Sequence, residues 1–259
     1  MNHKDKKTGR VIAVTGKGGS GKTVLAATII NLLIKDGKSK ILAIDADSAV
    51  CLPSALDTAV QKTVGDIREG LIEDPEMKTR IQGEAPRVVI SDVLTSGEGF
   101  DLLVMGRPEG PGCFCALNEL LRYGIESLSK DYDLTIIDCE AGPEQVNRRV
   151  VRSVDTLLIV TDTSTRGIHN ASLIKTITEK HEKESPGHTE IYLVVNRMNE
   201  ERKGIIALIE ESDLDVLGLM PEDENITQFD SLGKPIIHLQ PSIPYVIAVQ
   251  QIIKKIGLQ

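Results

Sequence analysis

Between Gly16 and Thr23 the chain reads GKGGSGKT, and these eight positions hold four glycines, two lysines and two hydroxyl side chains. The spacing G-x-x-x-x-G-K-[ST] suits the binding of a polyphosphate. Gly16, Gly18, Gly19 and Gly21 allow the backbone to curl around Ser20 so that several N–H groups face one concavity, and a helix starting there adds its positive dipole end. Lys22 is placed to reach the β and γ phosphates, and Thr23 to offer its hydroxyl to Mg²⁺. The plainer alternative, a glycine-rich turn that holds nothing, does not account for the full spacing and its flanks.

Sulfur forms a second group. Cys113 and Cys115 stand one residue apart in GPGCFCALNELL, residues 110–121. In an extended segment their side chains fall on the same side, because the strand period is two. A helix beginning near Ala116 would lower the thiol pKa and favour the thiolate that binds metal. Softness limits the ion to Ni²⁺, Zn²⁺, Cu⁺ or iron with sulfide, with geometry choosing among them. The alternative is a pair of small buried hydrophobes, which fits a Gly-Pro-Gly loop poorly. Cys51 and Cys139 are isolated, and a core or supporting role is expected of each.

Three carboxylates follow aliphatic runs: Asp45 and Asp47 in IDADS, and Asp138 in TIIDCEAG. Taken singly, each could be a helix cap or turn residue; together, at strand ends in a chain with a phosphate loop, they point to cation and water handling. VVNR offers Asn196 and Arg197. The Asn196 amide has the donor and acceptor pair that matches N6 and N7 of adenine. The N-K-x-D run typical of guanine recognition is absent, so ATP is the expected nucleotide.

The elements that must position these groups are short aliphatic runs, each followed by a turn and then, in most cases, a helical-period stretch. They are VIAVT (11–15), ILAID (41–45), LLVMG (102–106), LTIID (134–138), TLLIVT (156–161) and IYLVVN (191–196). Runs this apolar, without alternation, read as strands covered on both faces. The fold expected is α/β and doubly wound, a mostly parallel sheet flanked by helices, in one domain spanning 10–259 after a polar tail, 1–9. Val24, Leu25, Thr28, Ile29, Leu32 and Leu33 give the first helix its apolar face, and Leu117 to Leu128 give another. TVGDIREGL reads as a helix start, RVVISDVL as a possible strand and SDVLTSGEGF as an exposed loop. YVIAVQQIIKKIGLQ reads as a last core-packing helix rather than an amphipathic membrane helix, carrying only Lys254 and Lys255 as charge.

Composition narrows the partners. At 259 residues and 41% hydrophobic the chain can bury a sizeable core, and a net charge of −8 gives no bulk attraction to nucleic acid. The absence of Trp removes stacking platforms for bases. No apolar run is long enough to cross a bilayer, so neither nucleic acid nor membrane is expected as a partner and a cytoplasmic location is.

The extra lysine, Lys17, gives the loop a resemblance to the deviant Walker A ATPases of the MinD, ParA and nitrogenase-iron-protein class, P-loop NTPases of the SIMIBI type. The resemblance implies that Lys17 crosses a homodimer interface to the partner's nucleotide, as an arginine finger does. It further implies that Asp47 orients the attacking water, that Asp45 supports the Mg²⁺ shell, that Asp138 is the Walker B carboxylate with Gly142 in the switch after it, and that Pro221 and Asp223 in GLMPEDENI close over the base.

Across most of the chain, GKGGSGKT, DADS..CL, MGRPEGPGCFC and DCEAG together resemble the CooC and AcsF group of nickel-insertion ATPases. That resemblance implies Ni²⁺ or Zn²⁺ held by Cys113 and Cys115 at a two-fold axis, where two pairs complete an S₄ site, and a nickel enzyme as client, such as carbon monoxide dehydrogenase or acetyl-CoA synthase. Two other readings stay open: a reductase resembling the nitrogenase iron protein, and a positioning ATPase resembling MinD or ParA. The single loop pair, with Cys139 directly after Asp138, disfavours the first; the second leaves the thiol pair without a task.

Overall fold

The structure, a computed structural model, describes residues 9–73, 86–106, 126–142, 154–184, 188–199, 201 and 204–259. Strand β1 (Arg10–Gly16) leads through the glycine loop into α1 (Lys22–Asp36), followed by β2 (Ile41–Ala46), the short α2 (Leu52–Ala55), α3 (Val64–Glu73) and α4 (Pro86–Ser91). Then come β3 (Thr95–Ser96), β4 (Phe100–Val104), β5 (Leu134–Cys139), β6 (Thr156–Thr161), α5 (Thr165–Glu184) and β7 (Glu190–Met198). The chain continues through α6 (Ile205–Glu211), β8 (Val216–Pro221), α7 (Glu224–Ser231) and α8 (Pro244–Lys255).

These strands form an eight-stranded sheet in the order β3-β4-β2-β5-β1-β6-β7-β8. Every pairing is parallel except that of the two-residue β3 with β4. The unbroken apolar runs are explained by two separate cores. Val11 and Ala13 of β1 face one core with α3, α4, α5 and α6, whereas Ile12 and Val14 face the other with α1, α2 and α8. Residues on both sides of the pleat are therefore buried, which is why alternation is missing.

Helix α1 is set by its apolar spacing and its ends. Gly37 sits left-handed at φ 67° and donates its N–H to the Leu33 and Ile34 carbonyls, closing the helix where Asp36-Gly37 predicts a stop. Leu25, Ile29 and Ile30 are fully buried, each stabilising the fold by about 1.5–3 kcal/mol. Helix α8, opened by Pro244, buries Tyr245, Val246, Val249, Ile252 and Ile253 against the sheet, as expected of a core helix. Lys255 of α8 donates through Nζ to the Leu217 carbonyl at 2.7 Å, capping a polar group of edge strand β8.

Two sequence expectations are corrected. RVVISDVL does not begin as a strand: residues 86–91 are α4, with Val89, Ile90 and Val93 buried and Val88 exposed, a helical rather than alternating pattern. SDVLTSGEGF is not wholly loop, because Thr95 and Ser96 pair with Leu102 and Asp101. VLGLMP, unrecognised as a strand, is β8, an edge strand with Leu217 and Met220 buried, Val216 and Leu219 exposed, and a shifted register against β7. Among the described residues no helix is long and apolar enough to cross a membrane. Cys113, Cys115 and the helix start expected near Ala116 lie outside the described residues.

Candidate functional site

The glycine loop stands at the carboxyl end of β1, where the chain departs to β2 on one side and later returns to β6 on the other. Such a reversal leaves a crevice at the strand ends. Two glycines are dictated by their surroundings. Gly16 has φ 143°, and a Cβ there would stand 2.0 Å from the Val160 carbonyl oxygen. Gly21 has φ 97°, and its Cβ would stand 2.3 Å from Nδ2 of Asn196.

Asn196, at the end of β7, braces the loop from the far side. Its Nδ2 donates to the Ser20 carbonyl at 2.8 Å, and its Oδ1 accepts the Arg197 N–H at 2.8 Å. The amide expected to read adenine is thus engaged at both ends in shaping the phosphate loop. Arg197, beside it, has φ 59°, an uncommon conformation for a residue with a side chain.

Loop and strand ends enclose a cavity of about 540 Å³. Gly18, Gly19, Lys22 and Thr23 line its phosphate end, Asp47 and Cys51 one flank, and Asn196, Arg197, Pro221 and Asp223 the other. Lys22 is buried, its Nζ 3.5 Å from the Lys17 carbonyl oxygen. Asp223 is the N-cap of α7: Oδ1 accepts from the Asn225 N–H at 2.9 Å, and Oδ2 from the Tyr245 N–H at 3.3 Å. Pro221 ends β8, so only Glu222 and Asp223 of the expected closing loop separate strand from helix.

The acidic groups gather as expected but divide their tasks. Thr23 Oγ1 donates to Asp138 Oδ2 at 2.6 Å, while Asp138 Oδ1 is buried without a partner among the described residues. Burial pushes the Asp138 pKa up to about 7, with the neighbouring Asp45 and Asp47 charges adding to it and the Thr23 hydrogen bond and Lys22 opposing. An orphaned carboxylate oxygen beside a hydroxyl fits Mg²⁺, a hard cation with oxygen ligands.

Asp45, expected to support that shell, is tied up. Its Oδ1 accepts from the Asp47 N–H and its Oδ2 from the Leu52 N–H, each at 3.0 Å. It anchors the turn that carries Asp47, and burial raises its pKa to about 6 against those two hydrogen bonds. Asp47 accepts from the Ala49 N–H at 2.9 Å and faces the cavity.

Cys139 is wholly buried, as expected of a core residue, and burial pushes its thiol pKa up. Cys51 is not a core residue: it is exposed at the cavity wall. Burial and the Asp45, Asp47, Asp138 and Asp230 charges raise its pKa, favouring the neutral thiol. Cys113 and Cys115 fall outside the described residues, and among those described no cluster of three His, Cys, Asp or Glu could hold a metal.

Sequence reasoning missed Tyr245, Ile226, Thr227 and Asp230, which complete the wall of the cavity from α7 and α8. Nothing local in the sequence marks them. It also missed Asp162, whose Oδ2 accepts from Lys17 Nζ at 3.1 Å, although a carboxylate directly after the aliphatic run TLLIVT follows the rule that picks out Asp45 and Asp138.

Comparison with known proteins agrees with this geometry. The AAA domain family profile matches residues 9–190. An uncharacterized ATP-binding protein of Methanocaldococcus jannaschii is 38% identical over 95% of this chain and 98% of its own. The carbon monoxide dehydrogenase accessory protein CooC of Rhodospirillum rubrum is 28% identical, over 89% of this chain and 90% of its own. Among solved structures, the septum site-determining protein MinD of Pyrococcus horikoshii, complexed with Mg-ADP, superposes with a TM-score of 0.70 at 21% identity, over 96% of both chains.

Proposed function

Since the chain belongs to the AAA domain family and is a P-loop ATPase related to MinD and ParA proteins, we propose that its ATP cycle serves metal delivery. It is an ATP-dependent metallochaperone that holds Ni²⁺, or Zn²⁺, through Cys113 and Cys115 at a homodimer interface and passes it to a nickel enzyme such as carbon monoxide dehydrogenase or acetyl-CoA synthase. The observation that carries the reading is the C-x-C pair itself, in a chain alike over nine-tenths of its length to a carbon monoxide dehydrogenase accessory protein.

At the nucleotide, the loop N–H groups and Lys22 bind the β and γ phosphates, and Asp47 orients the attacking water. Thr23 and Asp138 would hold Mg²⁺, which supplies neutralising charge to the phosphates when bound. Adenine lies between Arg197, Pro221 and α7; pairing with Asn196 would require its amide to leave Ser20 or Arg197. Lys17 acts in trans, so the hydrolytic species is a dimer, and the dimer geometry sets how many thiolates grip the ion.

The test is metal content per protomer after exposure to equal Ni²⁺ and Zn²⁺, with and without a non-hydrolysable ATP analogue. A half-equivalent supports a shared site; a full equivalent on each protomer rejects it.

Likeness to MinD supports a second reading, a positioning ATPase acting at a membrane. Against it, the apolar face of α8 is spent inside the core, leaving no such face to lie on a bilayer. Sedimentation with anionic liposomes and ATP separates the two. An iron-sulfur reductase finds less support, since Cys139, the nearest later thiol, is wholly buried in β5.

A further inference from the structure

Lys17 follows the first glycine of the phosphate loop, yet it is not among the residues lining the nucleotide cavity. Its ammonium turns sideways to Asp162 Oδ2, 3.1 Å away. The partner is well placed for this. β6 runs parallel beside β1, with Gly16 opposite Val160, so continuing that register brings residue 162 beside residue 18, next to Lys17.

Asp162 is itself fixed. Its Oδ1 accepts from the Ser164 N–H at 3.1 Å and from the Ser164 hydroxyl. Burial alone would raise its pKa, but the hydrogen bonds from Ser164 and Lys17 outweigh it and hold the carboxylate below its ordinary range. The two side chains are 41% and 23% exposed, so the bond is a partly solvated one that competition can break.

We propose that Asp162 is a positioning residue for Lys17: it holds the ammonium aside in the nucleotide-free chain and must release it before Lys17 can engage a triphosphate. The proposal rests on the reading that Lys17 meets phosphate in the dimer. A lysine cannot make its closest contact with both anions, so each increment of Asp162 pairing opposes the triphosphate-bound dimer. A diphosphate that does not recruit Lys17 leaves the pair intact. Asp162 thereby tunes the preference for ATP over ADP from outside the cavity, without itself touching either nucleotide.

Asp162→Asn is the sharp variant, because the amide keeps its shape and an acceptor for Ser164 while losing the charge. Association is followed by sedimentation velocity in Mg-AMP-PNP and in Mg-ADP, beside steady-state ATP turnover, for wild type, Asp162→Asn, Lys17→Ala and the double variant. Asp162→Ser is an independent check carrying the same expectation, and Asp162→Glu keeps the charge and stays near wild type. Asp162→Asn should strengthen AMP-PNP-driven association about two- to five-fold, the range set by a partly exposed ion pair. ADP affinity should be unchanged, and the gain should vanish in the Lys17→Ala background. Wild-type association in Asp162→Asn, with Lys17→Ala defective, overturns the positioning role and leaves the reading of Lys17 intact. Wild-type turnover and association in Lys17→Ala removes that reading, and the proposal with it. A gain that persists without Lys17 also overturns it, since the carboxylate would then act through another group.

Discussion

Thr23 and Asp138 lie 115 residues apart in sequence and meet through a 2.6 Å hydrogen bond at the buried end of the nucleotide cavity. The bond occupies one carboxylate oxygen and leaves the other enclosed, with no partner among the described residues. It joins the first turn of α1 to the end of β5, two elements that meet only because β1 is inserted between β5 and β6.

Acidity should govern this corner. Asp138 and Asp45 have pKa values raised to about 7 and about 6, so both are largely protonated at pH 5 and charged at pH 8. Raised folded-state values mean that protons favour the fold: the stabilisation is complete below the ordinary value of 3.8 and is lost as pH rises through 6 to 7. The nucleotide- and metal-free protein should therefore melt at lower temperature at pH 8 than at pH 5.5, and Asp138→Asn should raise its Tm at pH 8 by about 3–8 °C. Mg²⁺-dependent nucleotide affinity should run the other way, rising from pH 6 to pH 8, and should be largely lost in Asp138→Asn. Differential scanning fluorimetry and titration with a fluorescent ATP analogue at each pH measure both.

The two lysines of the loop should separate binding from turnover. Lys22→Ala removes the buried cation at the phosphate end and should lower ATP affinity by at least about 100-fold, the loss of a charged hydrogen-bond partner in a desolvated site. Lys17→Ala should keep ATP affinity within a few-fold while turnover and ATP-driven dimerisation disappear. Equilibrium binding, phosphate release and light scattering on the same preparations read the two effects apart; full turnover in Lys17→Ala would remove its role in trans.

Replacement of both Cys113 and Cys115 by Ser should abolish nickel binding and leave the ATP affinity of the monomer nearly unchanged. Stoichiometric nickel retained by the double variant, measured by elemental analysis after desalting, would reject the C-x-C site.

Loop shape should be as sensitive as loop chemistry. Gly21→Ala forces a Cβ against the Asn196 amide at positive φ, a strain of about 1–3 kcal/mol. Asn196→Ala leaves the Ser20 carbonyl without its partner, costing about 1 kcal/mol. Because each variant disturbs the same contact, the double variant should lose less stability than the sum of the two. Urea denaturation of the four proteins gives the coupling directly.

Much of this architecture is legible in the amino-acid sequence. The parallel strands expected from unbroken apolar runs are present because each is covered on both faces, and the phosphate loop sits where strand meets helix. β8 escaped notice because an edge strand buries only part of its side chains, and α4 because a short apolar run such as RVVIS fits either period. The three acids converge as their strand-end positions imply, but the sequence does not distinguish Asp45, which ties a turn, from Asp138, which keeps an oxygen to spare. Asn196 reads locally as a base contact. Its bond to Ser20 spans 176 residues, and only the strand order brings them together.

That brace bears on where the molecule can be divided. The match to the AAA domain family ends at residue 190, short of Asn196, Asp223 and Tyr245. A fragment cut there would carry every letter of GKGGSGKT yet lack the Asn196 amide that holds the Ser20 carbonyl, so the motif is not a portable cassette. One side of its curvature is held from a strand far along the polypeptide, which any split or shortened version would have to supply again.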